Sequence, residues 1–115
     1  MTTASTPVDR RNLLVDAIVT AREHNTQVAF IGAGNKVEYS DRILRLELNN
    51  EEQDRLDTLR VQYPVFKPKQ PDTRKAPDNV LYLSAVTDPK HVADFLDDLF
   101  LDVFDASSAY ELEVT

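Results

Sequence analysis

Apolar residues recur at helical spacing in three stretches of this chain and at alternate positions between them. Over residues 7–24, Leu14, Ala17, Ile18 and Ala21 fall at i, i+3, i+4 and i+7, the spacing of one helix face. Thr6 stands where an N-cap belongs, Pro7 suits the first helical residue, and Asp9 favours the positive end. Asn25 can close the helix in a left-handed conformation. Gln27–Ile31 is a short apolar strand, and Val37–Tyr39 and Ile43–Leu48 resume extended structure. Leu44, Leu46 and Leu48 alternate with Arg45 and Glu47, the pattern of a strand wet on one face. Residues 27–48 read as a β-hairpin whose turn holds the only two glycines, Gly32 and Gly34.

Asn50 can cap a second helix, with Gln53 completing a variant capping box. Leu56, Leu59 and Tyr63 give that helix a narrow apolar stripe, and Pro64 stops it. Residues 64–79 form a long connection bearing Pro64, Pro68, Pro71 and Pro77, with a short edge strand at Val65–Lys67. Val80–Val86 is apolar on both faces, which predicts a central strand. Residues 89–105 carry the strongest amphipathic pattern. Val92, Phe95, Leu96, Leu99, Phe100, Val103 and Phe104 share one face, with Asp94, Asp97, Asp98, Asp102 and Asp105 mostly opposite. Ser107-Ser108 turns the chain into a last strand, Tyr110–Val114.

The order is α-β-β-α-(loop)-β-α-β. It predicts one α+β domain over residues 1–115, a two-layer sandwich. About four strands would form an antiparallel or mixed sheet with the helices on one face. Residues 1–6 read as a disordered end. Should the strands flanking the last helix be parallel, their crossover is right-handed.

Composition narrows the setting. The chain has no cysteine, which excludes disulfides and thiolate chemistry and suits a reducing cytosol. No apolar run reaches the length of a membrane span, and MTTASTPVDRR lacks the apolar core of a signal peptide. A cytoplasmic location is expected. The net charge is −7, with Asp in excess of Glu and Arg in excess of Lys. An acidic, lysine-poor surface stays hydrated where salt screens charge repulsion, so the composition points to a halophile. Nucleic-acid binding is disfavoured by the acidic surface and by such a solvent.

Four of the five lysines lie between residues 67 and 90, a local segregation of positive charge. Lys90 and His91 follow the helix start Thr87-Asp88-Pro89, where the helix dipole is positive. Cations there are unfavourable unless an anion relieves them. Lys90, His91 and the loop residues Arg74 and Lys75 could therefore converge on a phosphate or carboxylate. The plainer reading has Asp88 capping the helix and Lys90 pairing with Asp94 four residues on.

Other motifs are weaker. VAFIGAGNK resembles the first loop of Rossmann-type reductases, but an extended segment, Lys36–Asp41, follows where an apolar helix is required. A hairpin turn in which Gly32 or Gly34 takes a positive φ is the simpler account. Asp94, Asp97 and Asp98 share a helix surface, which presents carboxylates outward rather than around a cation. His24 and His91 lack zinc partners, and Ser84, though near His91 in sequence, sits in no nucleophile elbow. No cofactor and no metal are expected.

The segment TRKAPDNVLYLSAVTDPKHVADFLDDLF, with LNNEEQDRLDTLRVQYPVF before it, resembles small acidic proteins of halophilic archaea with no assigned activity. The resemblance implies a source and a compartment and transfers no functional residue. The leading expectation is a non-enzymatic interaction or regulatory module in a halophilic cytosol, binding a protein partner or a second copy of itself. The alternative is a binder of, or an enzyme acting on, a small anionic metabolite at the 88–91 helix start. An anion site needs Lys90, His91 and a loop cation facing one pocket. An interaction module needs a contiguous exposed apolar patch near Val65, Phe66 and Tyr82.

Overall fold

The computed structural model describes residues 2–69 and 79–115. In chain order the elements are β1 (Thr2–Ala4), α1 (Pro7–His24), β2 (Val28–Gly32), β3 (Asn35–Ser40), β4 (Ile43–Glu47), α2 (Asn50–Arg60), β5 (Val80–Ser84), α3 (Pro89–Asp98) and β6 (Leu112–Val114). The strands form one antiparallel sheet in the order β1-β6-β2-β3-β4-β5. The α+β class holds, with six strands where the sequence pattern suggests about four.

Two short stretches account for the extra strands. Thr2–Ala4, expected to be disordered, pairs with β6 through Thr2↔Val114, Thr3↔Glu113 and Ala4↔Leu112. Three residues are too few for alternation to show in the sequence. The expected hairpin over 27–48 is a three-stranded meander, because Asp41 and Arg42 form a second tight turn. Ala33 and Gly34 have φ of 50° and 78°, and Asp41 and Arg42 have φ of 51° and 58°. Both pairs therefore make type I′ turns, whose twist matches that of the flanking strands. The second turn contains no glycine, so the strongest local signal for it is missing. Gly34 supplies the positive φ. Gly32 serves packing, because a Cβ there would lie 2.8 Å from Cε2 of Tyr110.

The helix ends follow their caps. The Thr6 hydroxyl accepts from the Asp9 N–H at 3.2 Å, and Asn25 closes α1 at φ 52°. The capping box of α2 sits one residue earlier than expected. Asn49 Oδ1 accepts from the Glu52 N–H at 2.8 Å, and Glu52 Oε1 accepts from the Asn49 N–H at 2.9 Å. A carboxylate is the stronger acceptor for a backbone N–H. Gln53 donates instead to the Leu48 carbonyl. Beyond α3 the chain continues through a π-helical turn, Leu99–Val103, in which the Phe104 N–H reaches back five residues to the Leu99 carbonyl.

β5 is not central. It pairs with β4 on one side, and its outer edge is covered by residues 67–69. Ser84 N–H donates to the Lys67 carbonyl and Lys69 N–H to the Tyr82 carbonyl, each at 2.8 Å. The pairing centres on Pro68↔Leu83, slightly later than the expected Val65–Lys67. A proline tolerates such an edge position because it has no N–H to leave unpaired. β5 and β6 run in the same direction, but β2, β3 and β4 lie between them.

The register sorts the strand residues onto two faces. Thr2, Val114, Phe30, Val37, Leu46 and Leu81 form one row across the inner face, and Val28, Tyr39, Leu44 and Leu83 form the next. All of these except Thr2, which is exposed, join Leu14, Ile18, Leu56, Leu59, Phe95, Leu96 and Leu99 of the helical layer in a single apolar core. The helices thus lie on one face, as their stripes require.

Candidate functional site

The expected anion site begins at the start of α3. Asp88 is its N-cap and accepts from the His91 N–H at 2.9 Å. Lys90 Nζ lies 3.4 Å from Asp94 and its side chain is 81% exposed. The His91 ring turns elsewhere. It lies 5.3 Å from the ring of Tyr63 and is stacked 5.7 Å from that of Phe66. Lys90 borders an open groove of about 590 Å³ between α1 and α3, together with Val8, Arg11, Val15, Asp16 and Asp94. His91 does not line it. The groove's two cations, Arg11 and Lys90, are matched by its two carboxylates, Asp16 and Asp94. Arg74 and Lys75 lie outside the described residues.

The helix surface expected to be a solvated aspartate face is not uniform. Asp97 is fully buried with Arg10 of α1, both at 0% exposure. Arg10 Nε donates to Asp97 Oδ1 at 2.9 Å, and the Tyr110 hydroxyl donates to the same oxygen at 2.8 Å. Arg10 Nη1 donates to the carbonyls of Ser5, Ser108 and Tyr110 at 3.0, 3.0 and 3.2 Å. The guanidinium carbon lies 4.1 Å from the centre of the Tyr110 ring. One arginine thus ties the approach to α1, the end of α3 and the loop before β6. Among the described residues Arg10 Nη2 and Asp97 Oδ2 have no hydrogen-bonding partner, though Arg11 Nε lies 3.7 Å from that oxygen.

Sequence periodicity carries a signal for this pair. Arg10 precedes Leu14, Ile18 and Ala21 on the buried stripe of α1, and Asp97 lies among the buried residues Val92, Ala93, Phe95 and Leu96 of α3. A charged residue at a core position needs a partner of opposite charge. Two of them, on helices that pack together, identify each other.

The other helical aspartates also have local roles. Asp98 accepts from the Tyr63 hydroxyl at 2.5 Å, and burial, reinforced by that bond, holds the phenol well above its ordinary pKa. Burial and then the neighbouring charge of Asp97 do the same for Tyr110. Asp102 is raised by desolvation and by Asp98. Among the described residues no three His, Asp or Glu side chains are grouped as a metal site would need.

Among the described residues, Val65, Phe66 and Tyr82 do not make one exposed apolar patch. Phe66 is buried, stacked on Phe95 with ring centres 4.0 Å apart, and Val65 packs partly against the core. The aromatic ring is worth more inside than on the surface, and the chain turning after α2 can place it there. Tyr82 belongs to a different surface, the outer face of the sheet.

That face is built by the alternate strand positions. Its rows are Thr3, Glu113, Ile31 and Lys36; then Ala29, Glu38, Arg45 and Tyr82; then Ser40, Ile43 and Ser84; then Glu47 and Val80. Ile31, Ile43 and Tyr82 are half-buried on this face, whereas Ala29 and Val80 are buried, at 8% and 9% exposure. Arg45 sits among them, with Nη1 3.4 Å from Glu38 and Nη2 3.0 Å from Glu47. A sheet face turned to water normally alternates to polar residues. Here strands β2, β4 and β5 carry apolar residues on both faces. No described helix covers the outer one.

No helix among the described residues is long and apolar enough to cross a membrane. No curated protein and no solved structure matches this chain. A family model matches residues 1–115 in full, and the chain belongs to that family, the family of unknown function DUF7975.

Proposed function

We propose that this chain is a non-enzymatic interaction or regulatory module whose contact surface is the outer face of the sheet. The observation that carries the reading is the placement of Ile31, Ile43 and Tyr82, each half-buried, on a face that no described helix covers. The salt-bridged Arg45 among them gives the surface fixed polar points as well as apolar area. The matching occupant is a protein surface that is likewise apolar and charge-balanced. The acidic, lysine-poor composition supports reading the module as one of a halophilic cytosol.

The test is made in extract of the source organism at its native salt. Tagged wild-type chain is expected in an assembly larger than the monomer. Ile31→Glu and Tyr82→Glu are expected to return it to monomer, whereas Glu51→Lys on α2 leaves the assembly intact. An assembly that survives both face variants overturns the reading.

A further inference from the structure

We propose that the outer sheet face is the interface of a homodimer, in which two copies pack sheet against sheet. The inference rests on the reading of that face as a contact surface and names its partner.

Charge is the first support. The whole chain carries −7, so most of its surface repels a second copy. The described residues of the outer face carry four cations, Lys36, Arg45 and, beside β5, Lys67 and Lys69, and three anions, Glu38, Glu47 and Glu113, for a net +1. It is the part of the sheet layer where two identical acidic chains meet with the least repulsion. Both signs are present on the same patch, so a two-fold axis can set the basic groups of each copy against the acidic groups of the other.

Geometry is the second support. Antiparallel sheets pack face to face about 10 Å apart, with strands near 30° to one another. The side chains available for the interlayer are Ile31, Ile43 and Tyr82, of the type that fills sandwich cores. The resulting particle has four layers, helix, sheet, sheet and helix, and covers a face that no described helix covers.

Area sets the strength. Five strand spacings and five residues of length give a patch of roughly 24 by 17 Å, or about 400 Å² in projection. A standard interface buries about 800 Å² of accessible surface on each partner. The dimer therefore lies at the small end of stable interfaces and dissociates on dilution. Salt strengthens it, because screening relieves the repulsion between the acidic chains while apolar contacts are not weakened.

Sedimentation of the purified full chain, from micromolar to millimolar concentration and from low to molar salt, tests this. The mean mass is expected to rise towards twice the monomer with both concentration and salt. Ile31→Glu should remain monomeric throughout, with an unchanged circular dichroism spectrum. The chain has no cysteine, so single-cysteine variants give an independent readout. Ser84→Cys, on the outer face, should be joined into dimers by a short bismaleimide, and Thr58→Cys on α2 should not. If Ile31→Glu fails to fold, the cross-linking pair decides alone. A wild-type chain that stays monomeric under all conditions overturns the homodimer, as does a dimer cross-linked equally through Thr58→Cys. A monomeric purified chain whose assembly in extract still depends on Ile31 and Tyr82 also overturns it, while leaving the face as a contact surface for another protein.

Discussion

Asp94 and Asp97 stand one turn apart on α3, and each meets a cation. Asp94 meets the exposed Lys90 at 3.4 Å. Asp97 meets the buried Arg10 at 2.9 Å, with Tyr110 on the same oxygen. The first pair is in water, where Coulomb attraction is screened and ordering two side chains costs most of what it gains. The second has lost its water, and every missing partner leaves an uncompensated charge. The same residue type on one helix can thus be dispensable or essential to the fold.

The largest effect that would sharpen this contrast is expected at the buried pair. Asp97→Ala should cost about 3–5 kcal/mol of unfolding free energy, because it leaves Arg10 buried and unpaired. The double variant Arg10→Met with Asp97→Leu should be much less destabilised, since both charges leave together. Chemical denaturation of wild type, Arg10→Met, Asp97→Leu and the double variant measures the coupling, and simple additivity would break the account. Next is Gly32→Ala, whose Cβ would meet Tyr110 at 2.8 Å and Phe100 at 3.2 Å. Displacing the ring that covers Arg10 should cost about 1–3 kcal/mol.

Tyr110→Phe and Tyr63→Phe each remove a hydrogen bond to a carboxylate and should cost about 1.5–3 kcal/mol at neutral pH, less at the more exposed Tyr63. They also predict a pH profile. Both phenols are raised in the folded chain, so the unfolded chain ionises first and binds fewer protons. Stability should therefore fall as pH rises above about 10, the ordinary tyrosine value. Each Phe variant should flatten that fall in a melting series, and an unchanged slope would exclude the phenols as its cause. Lys90→Ala should be the smallest change, within about 0.5 kcal/mol. A loss comparable to that of Asp97→Ala would erase the contrast between the two pairs.

Much of the fold was legible because periodicity and caps report local geometry. Thr6, Pro7 and Asn25 mark the ends of α1, and Asp88-Pro89 marks the start of α3. Partnership between strands was less legible. The apolar character of Val80–Val86 on both faces suggested a central strand, yet β5 lies at the sheet's end with a proline-bearing segment beyond it. Its second apolar face belongs to the outer surface instead. The turn at Asp41-Arg42 lacked its usual glycine, and the positive φ there comes from strand pairing on both sides.

Candidate chemistry was less legible still. Lys90 and His91 are neighbours in sequence, but a helix sends adjacent side chains about 100° apart. The buried Arg10–Asp97 pair depends on how α1 crosses α3, which local spacing does not encode. The arginine excess, read as a sign of solvent, also has a structural component. Arg10, Arg22, Arg55 and Arg60 each donate to backbone carbonyls, those of Ser108, Thr87, Val103 and Phe66 among them. A planar guanidinium can serve two such acceptors at once, which an ammonium does less well.

The pairing of β1 with β6 has a consequence for how the chain folds as it is made. Thr2 and Val114 come from opposite ends of the 115-residue sequence and meet at the edge of one sheet. Until β6 emerges from the ribosome, β1 has no strand to join and β2 has an open edge towards the missing strand. The meander β2-β3-β4 can close early, because its turns are local. The last edge must wait for β6 and close a loop that spans residues 4–112. That interval exposes unpaired backbone groups during synthesis, when a nascent chain is most prone to pair with the wrong strand.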